Sequence, residues 1–393
     1  MVARRAFGAD MPPFAARWVP EVSFGCGRMR EIAADAAAVG DPDKPVVLVA
    51  DGTLVELGIA QDLGFALERA GAEVVMFSDI SGEPKQTQVE AATDFVRAAG
   101  AGLVVCLGGG SAMDVGKVAA TLAATDGGPA DFAMEGRPLP KRSIPKICIP
   151  TTAGTGSEFS STNIFTNEAG RKVWIWGAET KPDRVILDPE LTITLPAPLT
   201  AWTGLDAFVH ALEASTNVRR HAWNDLYAHA ALSLIAGALE TAVRDPHDLD
   251  ARTRMLLGAG YAGIAIDNCS AAMAHNISHA LAALAPVHHG LATALALEVI
   301  LGWQLEADKG PFAAAAAACG LGHDARALAH WYSDLLTRCD IERRLPPAFK
   351  DFDAADLAVE MRAPETQYMR QSTARAVTDG DIDRFAAAVM ALA

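Results

Sequence analysis

The chain has 393 residues, 51% hydrophobic and 21% charged, which is enough for two sizeable cores and lacks the composition of disorder. Its formal net charge of −15 excludes a basic field of the kind that binds nucleic acid or an anionic membrane surface. The 6 scattered cysteines form no CxxC pair and read as buried thiols of a reducing compartment. The first residues lack an apolar signal core, and no run of about 18 apolar residues occurs, so a cytoplasmic location without a membrane span is expected.

From about residue 20 to 190, short β-rich runs alternate with helical stretches. Residues 45–50 (Pro-Val-Val-Leu-Val-Ala) predict a buried strand and 59–69 a helix. Residues 71–77 predict a second strand, 87–99 a second helix and 102–107 a third strand. Asp51 closes the first strand, where a carboxylate can accept hydrogen bonds from an adenosine ribose. The third strand runs into Gly108-Gly109-Gly110-Ser111, after which Ala-Met-Asp114-Val-Gly-Lys117 opens a helix. Glycines let a pyrophosphate approach the backbone, and the helix N-terminus supplies free N–H groups and the positive dipole end.

A strand over 146–149 leads into the polar loop Thr151-Thr152-Ala-Gly154-Thr155-Gly156-Ser157-Glu158. That loop either cradles another part of a nucleotide or caps a helix through Ser157 and Glu158. The aromatic stretch Val173-Trp174-Ile-Trp176 reads as a loop that packs rather than lines a pocket, and 184–187 reads as a further strand. Continuous apolar strands separated by helices predict a parallel sheet covered on both faces. The expected architecture is an α/β, Rossmann-like nucleotide-binding domain over residues 1–194 and an all-α metal-binding domain over 195–393.

In the second half the strand signal disappears and apolar residues recur at helical spacing. The one full GxGxxG match, Gly258-Ala-Gly260-Tyr-Ala-Gly263, follows a helix-like run rather than a strand, so its glycines read as close helix packing. The alanine run 313–318 reads as helix. Asp206 and His210 lie four apart on one predicted helix, as do His275 and His279 on another, and His288-His289-Gly290 follows. One carboxylate and three imidazoles suit a divalent ion, Fe2+ or Zn2+, which polarises a substrate oxygen and favours an alkoxide.

The glycine loop through Lys117, the segment 150–156, Thr203-Gly-Leu-Asp206-Ala-Phe-Val-His210-Ala-Leu-Glu213 and the spacing His275…His279…His289-Gly290 together resemble the group III, iron-containing alcohol dehydrogenase family over essentially the whole chain. The resemblance implies a dehydroquinate synthase-like architecture and an NAD(H)-linked enzyme with Fe2+ or Zn2+. It implies hydride transfer between nicotinamide and a small alcohol, aldehyde or hydroxy acid, in a homodimer or higher homo-oligomer. It makes Asp206, His210, His275 and His289 the metal ligands, and His279 the histidine near the nicotinamide that relays the alcohol proton. Gly108, Gly109, Gly110, Ser111 and Asp114 would hold the pyrophosphate, Thr151 and Thr152 line the nucleotide site, and Lys172 lie beside the cofactor. Asp51 would favour NAD over NADP, and Thr162 and Ile266 line the substrate pocket. Two other readings share the fold: a dehydroquinate-synthase-like NAD/zinc cyclase or lyase, and a non-catalytic nucleotide-binding protein. The metal segment is poor in the Lys and Arg that a phosphorylated, acidic substrate would need, and the ligand and glycine sets are both intact.

Overall fold

The computed structural model describes residues 13–393. Its strands are β1 (Glu21–Phe24), β2 (Val46–Ala50), β3 (Val74–Phe77), β4 (Leu103–Gly108), β5 (Lys146–Pro150), β6 (Thr162–Thr166), β7 (Lys172–Trp176) and β8 (Arg184–Leu187). Six of them form one parallel sheet in the order β1-β8-β5-β4-β2-β3, while β6 and β7 pair as a separate antiparallel hairpin. Among these strands run α1 (Ile32–Val39), α2 (Gly52–Glu56), α3 (Ile59–Glu68), α4 (Gln86–Ala99), α5 (Gly110–Leu122) and the short α6 (Pro129–Phe132).

The strand sequences explain the layering. Every residue of β2, β4 and β5 is buried, because alternate side chains enter two different cores. Val47, Val49, Val104 and Cys106 pack beneath α4 and α5 with Phe165 and Ile175 of the hairpin. Leu48, Leu103, Val105 and Leu107 pack on the other face with Ile32, Leu63 and Leu67. Gly116 lets α5 settle onto the sheet, since a Cβ there would lie 2.4 Å from Cys106 Sγ.

The helical half follows as α7 (Ala197–Thr216), α8 (Ala222–Ala236), α9 (Leu239–Arg244), α10 (Leu249–Asp267), α11 (Met273–Leu284), α12 (His289–Leu305) and α13 (Pro311–Ala318), with further helices to Asp379–Met390. Leu205, Phe208, Leu212, Ile235, Leu256, Ile277 and Leu295 form its core. The parallel sheet and the helical second half agree with the sequence reading, and the alanine run is α13. Three strands escaped that reading: β1, β6, and its hairpin partner β7 where a loop was expected. In β7 the pattern alternates, with Val173 and Ile175 buried and Trp176 half exposed.

The GxGxxG glycines lie inside α10, each against another element. Cβ atoms at Gly258, Gly260 and Gly263 would meet Ile235 of α8, Phe159 and the Gly156 backbone at 2.8, 2.7 and 2.7 Å or less. Gly263 and Gly156 therefore join the loop after β5 to the helical half at van der Waals contact.

Glu158 in that loop is buried, and burial pushes its carboxyl up to about 7 from an ordinary 4.5, against a partial opposing pull from Lys117. The folded chain therefore holds this proton more tightly than the unfolded chain. Its contribution favours folding below about pH 4.5 and is lost as pH rises through about 7. Glu158→Gln is expected to flatten the fall in melting temperature between pH 5 and 8, read by thermal denaturation across that range; an unchanged slope would remove Glu158 as its source.

Candidate active site

Three neighbouring strands, β5, β4 and β2, end side by side at the carboxyl end of the sheet, where open α/β sheets take their ligands. β4 delivers Gly108, β5 delivers Thr151, and β2 delivers Asp51. Gly108 has φ +149°, and a Cβ there would lie 2.8 Å from that of Ala112. Gly109 is the N-cap of α5 and offers no side-chain cap; Met113 N–H is bonded to Gly109 O at 3.2 Å, which leaves the preceding N–H groups at the open helix end. Thr152 and Thr155 lie against Gly109 and Gly110, so that Cβ atoms at those glycines would stand 3.4 and 2.8 Å from them. Thr151 N–H bonds to Gly108 O at 3.0 Å, locking the two loops together. Ser111 is half-buried beside them.

Asp51 caps α2 by accepting the Leu54 N–H at 3.1 Å through Oδ1, while Oδ2 faces Gly108. Asp114 turns its carboxylate away from the glycine loop. Oδ1 accepts from Ser157 Oγ and Oδ2 from the Ile164 N–H at 2.9 Å. Lys117, fully buried, donates to the carbonyls of Ser157 at 2.7 Å and Ser160 at 3.3 Å. The sequence reading quoted Lys117 in its motif but gave it no part; it holds the second loop onto α5.

Asp206, His210 and Glu213 recur at helical spacing along α7 and share one face. α11 brings His275 and His279, and α12 begins with His289. Asp206, His210 and His275 present ligand atoms that all lie within 4.8 Å of one another. Nε2 of His210 and Nε2 of His275 approach to 3.0 Å, and Asp206 Oδ1 stands 3.7 Å from His275 Nε2 and 3.6 Å from His289 Nε2. The outer nitrogens of two rings are engaged elsewhere: His275 Nδ1 with Glu213 Oε2 at 2.7 Å, and His289 Nδ1 with Ser278 Oγ at 3.0 Å. Of the adjacent pair, His288 caps α12 by accepting the Gly290 N–H at 3.2 Å and packs on Trp202, whereas His289 faces Asp206.

Asp206 Oδ1 is buried and has no hydrogen-bond partner. A carboxylate oxygen left bare beside three imidazole nitrogens fits the donor set of a divalent cation such as Fe2+ or Zn2+. Burial alone would raise the Asp206 carboxyl, but the imidazoles, His210 first, hold it well below the usual range. Burial also opposes protonation of His275, yet Glu213 and Asp206 outweigh it and push that ring up to about 10. His279 and His289 go the other way, held well below the ordinary value by burial, with Lys172 adding to it.

His279 meets the His289 ring edge-on at 5.6 Å and lies on a narrow cleft that Lys172, Ala283 and Thr366 also line. Lys172 Nζ pairs with Glu83 at 2.8 Å, and the preceding Arg171 reaches Glu365 at 3.3 Å. Thr162 opens β6, and Ile266 is buried near the end of α10 with Ala214, Ala228 and Cys269; their neighbours Ser161 and Asp267 hydrogen-bond at 2.7 Å. Glu213, Ser278 and Glu83 are the participants that sequence reasoning did not single out. Only Glu213 carried a signal, the third polar position on the Asp206–His210 face.

Two family models match the chain: iron-containing alcohol dehydrogenase over residues 20–189, and the C-terminal region of the Fe-containing alcohol dehydrogenase family over 200–379. The chain is 34% identical to long-chain-alcohol dehydrogenase 1 of Geobacillus thermodenitrificans, covering 72% of each chain. It is 30% identical to the NAD-dependent methanol dehydrogenase of Bacillus methanolicus, covering 84% of each. The sulfoacetaldehyde reductase of Bifidobacterium kashiwanohense, solved in complex with NAD+, superposes with a TM-score of 0.86 at 31% identity, over 95% of this chain and 97% of that one. These relatives are dehydrogenases and reductases, which leaves the cyclase or lyase reading and the non-catalytic reading without support. With both models matched in order along one fold, the chain belongs to the iron-containing alcohol dehydrogenase family.

Proposed function

We propose that this chain transfers a hydride between the nicotinamide of NAD(H) and a small alcohol, aldehyde or hydroxy acid, with Asp206, His210, His275 and His289 holding a divalent metal, Fe2+ in the first place. The observation that carries this is the buried Asp206 oxygen, which meets no N–H and faces the ring nitrogens of His275 and His289. The ion, when bound, supplies Lewis acidity toward the substrate oxygen.

The chain's own residues do the rest. Gly108, Gly109, Gly110 and Ser111 receive the pyrophosphate at the α5 N-terminus, with Thr151 and Thr152 lining the site beside them. Asp114 serves that site from behind, by fixing Ser157 and Ile164. Lys172 lies along the nicotinamide side of the cleft, steadied by Glu83. His279, buried at the cleft floor, takes the alcohol proton as the hydride leaves and returns it in the reverse direction. Thr162 and Ile266 form the wall on the substrate side.

Asp51 sets the choice of nucleotide. A 2′-phosphate against this carboxylate meets like-charge repulsion, on the order of 1–3 kcal/mol in a partly shielded site. Asp51→Gly is expected to raise kcat/KM for NADP about tenfold or more; wild type that used NADP as well as NAD would contradict the assignment.

The histidines separate by readout. His210→Ala and His275→Ala should lose bound metal, by elemental analysis, while NADH fluorescence shows the nucleotide still bound. His279→Ala should keep both metal and NADH yet turn over about 10²–10⁴-fold more slowly. Metal retained in the first two variants, or full activity in the third, would redraw the roles.

We also propose that the enzyme works in the cytoplasm as a homodimer or larger homo-oligomer. No helix among the described residues is long and apolar enough to cross a membrane. β1 is an edge strand whose Val22 and Phe24 are 42% and 46% exposed, a surface that pairing with a second copy would cover. Light scattering should return a multiple of 41.2 kDa, and Phe24→Lys should lower it; a monomeric wild type would rule this out.

A further inference from the structure

Glu213 is 2% exposed, and both of its carboxylate oxygens are engaged. Oε2 accepts from His275 Nδ1 at 2.7 Å and from the Ala272 N–H at 2.6 Å, while Oε1 accepts from the Ala274 N–H at 2.8 Å. Two of these donors are backbone groups at the start of α11, whose N-cap, Ala272, has no side-chain acceptor of its own. Glu213 therefore caps from α7 the helix that carries His275. The turn before it is held from the same helix end. Ser270 adopts φ +85°, and Asn217 donates from Nδ2 to its carbonyl at 2.8 Å.

A neutral imidazole has one lone pair, and the partner of the other nitrogen decides where it lies. An ionised carboxylate only accepts, so Glu213 keeps the His275 proton on Nδ1. When the ring gives up its other proton to bind a metal, the lone pair falls on Nε2, the nitrogen that faces His210 Nε2 at 3.0 Å and Asp206 Oδ1 at 3.7 Å. Ser278 Oγ contacts His289 Nδ1 at 3.0 Å, but a hydroxyl both donates and accepts and dictates no tautomer.

We infer that Glu213 is the positioning residue of the metal centre. It starts α11 where His275 meets Asp206 and His210, and it fixes the tautomer in which His275 Nε2 can ligate. It acts on the metal centre through His275, and the inference rests on the reading of His275 as a ligand.

The full-length chain, stripped of metal and titrated with Zn2+ against a chelating competitor, tests this. Glu213→Gln keeps the volume and one acceptor oxygen but loses the charge and turns an N–H donor toward at least one of the three N–H groups. It is expected to weaken Zn2+ binding about 10–100-fold, a larger loss than the weakened helix cap takes from the stability of the metal-free protein, with NADH fluorescence little changed. Glu213→Asp, which keeps the charge, should recover part of the affinity. In the Zn2+-loaded wild type, 15N NMR should place the His275 proton on Nδ1 and the metal on Nε2, a readout that needs no variant to fold. The inference is overturned by Zn2+ affinity within about twofold of wild type in a folded Glu213→Gln chain, short of the loss expected when an outer-shell partner is removed. It is also overturned by a loss matched by an equal fall in metal-free stability, or by His275 ligating through Nδ1. His275→Ala in the same titration separates the two levels: undiminished Zn2+ binding there removes the ligand reading itself, and this inference with it.

Discussion

A carboxylate placed in a protein interior with one oxygen bare is the condition around which the helical half is organised. Leu205, Ala207, Phe208 and Val209 are all fully buried, so α7 has no exposed face here and Asp206 goes inside with them. A lone buried charge of that kind is strongly unfavourable unless positive charge or hydrogen-bond donors surround it. His210, His275 and His289 gather around it from three helices, and the approach of those helices depends on a glycine. A Cβ on Gly290 would fall 2.2 Å from the Trp202 carbonyl of α7. Any larger residue at position 290 forces α12 away from α7 and takes His289 with it.

The carboxyl end of the sheet is bound to the helical half by the loop after β5. Lys117 reaches it from α5 with no solvent exposure and holds the carbonyls of Ser157 and Ser160, with Asp114 at 3.3 Å to balance the charge. From the other side Gly156 meets Gly263 of α10. Further along, Asp267 at the end of α10 accepts the Ser161 N–H at 2.7 Å and pairs with Lys181 at 2.8 Å. One short segment is thus fixed to both halves of the chain. Buried pairs of this sort contribute little net stability but penalise any arrangement that separates them.

Much of this was legible in the sequence because it follows period and punctuation. The runs of Val, Ile and Leu around 45–50 and 102–107 read as strands because both faces are buried, and the triple glycine stood out because it follows such a run. The GxGxxG in α10 could be set aside for the converse reason, since helical periodicity runs through it. What failed did so for two reasons. β1 is an exposed edge strand of four residues with no buried run to mark it, whereas β7, Lys-Val-Trp-Ile-Trp, has the β-branched and aromatic content of a strand, which its unusual aromatics hid. The candidate metal residues were found as two i, i+4 pairs, but the meeting of α7, α11 and α12 is a tertiary fact. Asp114 shows the same limit: its place in the glycine motif suggests the cofactor, whereas its oxygens go to Ser157 and Ile164.

The alternation of β7 carries the last step. Side chains before and along a strand point in turn to opposite sides, so Arg171 and Lys172 are sent in different directions from adjacent positions. Arg171 goes to Glu365 and Glu360 of the helical half, at 3.3 and 3.7 Å, and Lys172 goes to Glu83 beside the cleft that His279 lines. Exposed pairs such as those of Arg171 contribute about 0–1 kcal/mol, too little to matter for folding. Their effect is geometric. They set the hairpin against the helices at one residue's remove from Lys172, so Lys172 and His279, which line one cleft, are placed by the same contact.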